Sequence, residues 1–78
     1  MSETHANYLR DLGQLLREAG QEAKRSARAA TDGDRDFERV KLMAYYEVLS
    51  LMQQQAVAFD LPLDDLALDE LDPNRDLI

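Results

Sequence analysis

The 78-residue chain has no cysteine and no tryptophan, only three glycines and two prolines, and a single histidine. Without cysteine there is no disulfide and no thiolate metal site. With one histidine, His5, a nucleophilic relay through Ser2, Ser26 or Ser50 would rest on a residue at the start of the chain, so no catalytic triad is expected. No apolar run approaches the roughly 20 residues of a membrane span. No basic segment followed by an apolar run opens the sequence, so no secretory leader is expected and the expected location is cytoplasmic. Glycine-rich phosphate loops are missing too, and the reading implies no cofactor and no small-molecule substrate.

Carboxylates are numerous but poorly spaced for metal. Asp32, Asp34 and Asp36 alternate as at the start of an EF-hand loop. That loop needs Gly at its sixth position and Glu at its twelfth; counted from Asp32 these are Phe37 and Met43. Di-iron bundles need Glu-x-x-His pairs facing the core, and none occurs. Neither a metal site nor an enzyme is expected.

Charge is unevenly placed. Residues 1–41 carry eight basic and eight acidic side chains, whereas residues 42–78 carry eight acids and only Arg75, which accounts for the whole net charge of −7. A net acidic chain does not suit phosphate attachment. The basic stripe Arg10, Arg17 and Lys24 is interleaved with acids and has no aromatic residues to stack on bases. Nucleic acid is therefore not expected as a partner. The acidic tail, with Asp64, Asp65, Asp69, Glu70 and Asp72, suits a basic protein partner or the chain's own basic stripe.

What the chain has in quantity is helix periodicity. His5, Leu9, Leu12, Leu16, Ala19, Ala23, Ser26 and Ala30 alternate three- and four-residue steps, predicting a coiled-coil-like helix over 4–30 capped by Ser2 or Thr4. Gly13 and Gly20 lie beside this seam. A helical Gly costs about 1 kcal/mol relative to Ala, so both suggest close approach of bulky neighbours, Tyr45 and Tyr46 at Gly20 and Met52 and Gln53 at Gly13. The segment ATDGDRD predicts a tight turn over 31–34, with Gly33 in the left-handed region and Asp34 capping a second helix over 35–59.

That second helix is too apolar for one neighbour. Leu42, Tyr45, Leu49, Met52, Ala56 and Phe59 form one stripe. Phe37, Val40, Ala44, Val48, Leu51 and Gln55 form another, and together they give an arc of roughly 200°. A polar residue inside such an arc, Gln55, can set register or oligomeric state; Gln53 and Gln54 are read as the polar side. After Pro62, Asp60 is expected to cap a short helix over 61–71, with Leu63, Leu66, Ala67 and Leu71 on one side, followed by a loose end over 72–78.

The expected fold is all-α: an antiparallel helical hairpin with a short C-terminal helix, dimerising into a four-helix bundle through Phe37, Val40, Ala44, Val48, Leu51 and Gln55. A core this small stabilises a chain by only about 3–5 kcal/mol, which favours a supplementary partner. The expected function is a non-enzymatic protein-interaction or adaptor role. An acidic inhibitor or antitoxin-like role, masking a basic nucleic-acid-binding surface, is the alternative. The hairpin layout over residues 4–59 resembles that of small bacterial secretion chaperones. The resemblance is one of architecture, and it implies a bacterial protein that covers an aggregation-prone subunit with a helical hairpin.

Overall fold

The computed structural model describes residues 2–78, which form two long helices and a folded-back tail. Helix α1 spans Glu3–Ala29. Ser2 occupies its N-cap, and the Ser2 hydroxyl oxygen accepts the His5 backbone N–H at 3.2 Å, satisfying one of the free donors of the first turn. Helix α2 spans Arg35–Ala58.

The turn between them is built differently from the expectation. Gly33 is not left-handed. The chain leaves α1 through Ala30 in an extended conformation (φ −67°, ψ 140°), and the reversal is closed by the Asp34 N–H donating to the Thr31 carbonyl at 3.0 Å. An extended residue redirects the chain as effectively as a left-handed one, so no positive φ is needed. Asp34 stands at the N-cap of α2 without a side-chain capping bond, while Asp36 and Glu38 place negative charge in the first turn, where it suits the helix dipole.

Helix α2 stops in a Schellman motif. The Leu61 N–H reaches the Ala56 carbonyl at 2.8 Å and the Asp60 N–H reaches that of Val57 at 3.1 Å, with Asp60 at φ 57°. Asp60 thus closes α2 and does not open a new helix. Pro62 then leads into a 3-10 turn, Leu63–Leu66, which ends in the same pattern: Leu68 N–H to Leu63 carbonyl, 3.0 Å, and Ala67 N–H to Asp64 carbonyl, 3.2 Å, with Ala67 also at φ 57°.

The continuous helix expected over 61–71 is therefore not formed. Leu66 and Leu68 are both buried, and residues two apart cannot share one side of an α-helix. The left-handed Ala67 turns the chain so that both point inward. The end expected to be loose is ordered as well. Asp72 caps a single helical turn, α3 (Pro73–Asp76), accepting from the Asn74 and Arg75 N–H groups. Pro73 opens this turn, at the position where a missing N–H costs nothing. Leu77, expected to fray, has no exposed surface.

The tail runs antiparallel to α2 in the groove between the two helices. It starts at Gly13, where the Leu66 backbone lies against α1, and ends at Gly20, where Leu77 packs with Leu49 and Tyr45. Leu49, Leu68 and Leu77 are fully buried, with Ala56, Leu66 and Leu71 nearly so. The core is thus three-layered along part of the hairpin only. The molecule measures 46 × 21 × 16 Å with a radius of gyration of 13.8 Å, against about 11.5 Å for a compact chain of this length.

Candidate interaction surface

The tail covers one side of the hairpin and leaves the other open. On the covered side, Tyr46 and Gln53 face the tail. The Tyr46 hydroxyl donates to Asn74 Oδ1 at 2.6 Å. Gln53 Nε2 donates to the carbonyls of Leu71 (2.7 Å) and Leu68 (3.2 Å). From α1, Arg17 donates to the Ala67 carbonyl at 3.1 Å and Lys24 to that of Asp76 at 2.8 Å. The basic stripe does meet the tail, as its charge suggested, but it holds backbone carbonyls and not carboxylates. Asp64, Asp69, Glu70 and Asp72 stay exposed and Asp65 is half-buried, leaving an acidic ridge along the outside of the tail.

The open side carries the second apolar stripe. Phe37 is 68% exposed, Val40 70%, Val48 43% and Leu51 60%; Ala44 and Gln55 are exposed too. Phe59, expected in the hairpin seam, is 72% exposed, because the Schellman stop carries the chain away before α1 can cover it. Helix α1 adds Tyr8 and Leu15, both exposed and seven residues apart on one side of that helix. Two polar residues lie on the same face of α2. Lys41 and Gln55 are each seven residues from Val48, and both are exposed.

At the end of the hairpin away from the turn, this face holds a groove of about 320 Å³ lined by Leu9, Leu51, Ala56, Phe59, Leu61 and Leu66, among others. Its walls are almost wholly apolar. The protein exposes 5498 Å², against about 4,800 Å² for a compact monomer of 8.9 kDa.

Titratable groups gather into no reactive set. His5 is exposed, not in the seam, and its ring lies against the Ser2 hydroxyl. Among the described residues, no three His, Asp or Glu side chains are placed to hold a metal ion. No helix among them is long and apolar enough to cross a membrane. One carboxyl is perturbed: the Arg75 guanidinium bonded to its side chain, and the Asp72 N–H, hold Asp76 down at about 2. Arg75 is raised in return. This pair ties the two ends of α3 together.

Sequence reasoning placed the six residues of the open stripe on one face, and the structure leaves all six exposed there. It missed Gln53. That residue's partners are backbone carbonyls, which leave no mark in sequence beyond a polar residue beside an apolar stripe. The fold and this surface define a class: an all-α helical hairpin with one side closed by its own tail and one side apolar and open. Comparison with protein-family models, curated protein sequences and solved structures finds no match to the chain.

Proposed function

We propose that the protein is a non-enzymatic interaction module that acts as a homodimer, two hairpins packing their open faces together into a four-helix bundle. The observation that carries this reading is the row of exposed large apolar side chains, Phe37, Val40, Val48 and Leu51, opposite the tail. Isolated exposed apolar residues are ordinary, but a contiguous apolar face on a small chain marks a contact surface. The surface in excess of a compact monomer's, roughly 700 Å², approaches the roughly 800 Å² per partner of a standard interface. Dimerisation would leave the acidic ridge of the tail outward, where it suits a basic protein partner.

Sedimentation equilibrium tests this directly. The native chain is expected to be a dimer at micromolar concentration. Val48→Asp and Leu51→Asp should give helical monomers, because each puts an unpaired charge into the contact and neither residue is buried in the hairpin. Leu49→Asp should unfold the chain, since Leu49 has no exposed surface. A native chain that sediments as a monomer at all concentrations, or aspartate variants that stay dimeric, would reject the reading.

A further inference from the structure

Exposed residues of α2 recur symmetrically about Val48, Phe37 with Phe59 and Lys41 with Gln55, and from this we infer that two copies pair end for end, with α2 antiparallel to its mate and the two-fold axis passing beside Val48. The inference rests on the dimer proposed above and specifies its geometry. Val48 is the midpoint of the stripe, eleven residues from Phe37 and eleven from Phe59. About this centre, Phe37 of one copy meets Phe59 of its mate at the mouth of the apolar groove. The groove between Leu9, Phe59 and Leu61 then receives Phe37, one of the most exposed apolar side chains on the face.

The same centre pairs the polar residues. Lys41 and Gln55 lie seven residues either side of Val48, so Lys41 of each copy faces Gln55 of the other. An ammonium at an apolar contact needs an acceptor, and the Gln55 side-chain carbonyl supplies one. The alternative symmetric packing has the axis along the hairpin. It sets turn beside turn and brings each polar residue to the level of its own copy, Lys41 near Lys41, which is repulsive.

Charge at the hairpin ends points the same way. Residues 24–41 and 71–78, toward the turn, hold seven basic and six acidic side chains; residues 1–23 and 42–70, toward the other end, hold two basic and ten acidic ones. End-for-end pairing places the near-neutral turn end of each copy over the strongly acidic end of its mate. Side-by-side pairing places like over like, and such an arrangement discriminates between the two geometries.

A cysteine-free chain allows a clean test. Lys41→Cys/Gln55→Cys keeps every apolar residue of the face. The variant is first checked for helicity and for dimerisation by sedimentation under reducing conditions, then oxidised and mapped by mass spectrometry of its peptides. A covalent dimer with an interchain 41–55 disulfide is expected. Within one chain the two positions are about 21 Å apart along the helix and cannot join. A dimer giving only 41–41 and 55–55 links, or no link at all, overturns the end-for-end arrangement and leaves the dimer standing. Should this variant fail to fold, Phe37→Cys/Phe59→Cys asks the same question at the ends of the stripe, where a 37–59 link is expected. A native chain that is monomeric overturns the dimer itself, and this geometry with it.

Discussion

Gly13 and Gly20 show how little room the tail leaves. A Cβ on Gly13 would run into the carbonyl of Leu66, a backbone group that yields only if the tail lifts. At Gly20 an added Cβ would come within 3.1 Å of Leu49 Cδ1, a methyl that can swing by a few tenths of an ångström. Both substitutions to alanine gain about 1 kcal/mol of helix propensity. Gly20→Ala is therefore expected to be near neutral. Gly13→Ala should lose about 2 kcal/mol, as overpacking against backbone does. Urea unfolding of the two variants checks the ranking; a stabilised Gly13→Ala would mean that the tail does not lie against α1 at that point. The glycines were legible in sequence as sites of close approach, and Tyr45 was placed correctly at Gly20. The neighbour at Gly13 was not, because the reading looked to α2 for bulk and the contact is made by tail backbone.

At the scale of elements, α1 and α2 follow from spacing alone, since each repeats its apolar positions over more than six turns. The 3-10 turn and α3 do not. Each is about one turn long and exists because the tail has a groove to lie in, with Ala67 left-handed to rotate the chain between them. The third helix predicted from Leu63, Leu66, Ala67 and Leu71 failed for that reason: the leucines follow the groove, not a period. The lock on α3 has a pH signature. The Asp76 carboxyl, at 3.8 without its partners, is held at about 2 in the folded chain. The unfolded chain thus binds a proton more readily, and this contribution to stability is complete above about pH 4 and vanishes as pH falls through about 2. Urea midpoints followed from pH 5 to pH 2 should fall less steeply for Asp76→Asn than for the native protein. Parallel curves would show that the Arg75–Asp76 pair does not form in solution.

The molecule as a whole is a hairpin closed by a strap, and this sets how it comes together in time. The bonds from Arg17 to Ala67 and from Lys24 to Asp76 join residues 50 and 52 apart in sequence. A helical protein ordinarily folds on local contacts. This one completes its core by closing a loop of half a hundred residues, the kind of long-range return that slows β-proteins. The hairpin should form first and the strap should dock after the main barrier. Leu68→Ala, which empties a fully buried site at a cost of about 3 kcal/mol, is then expected to accelerate unfolding about a hundredfold and to leave the folding rate almost unchanged. Stopped-flow measurement of both limbs decides it; an equal effect on folding would place the strap in the nucleus. In the interval before docking, the hairpin is bare on both faces, and crowded conditions would expose it to mispairing with other hairpins through the wrong side.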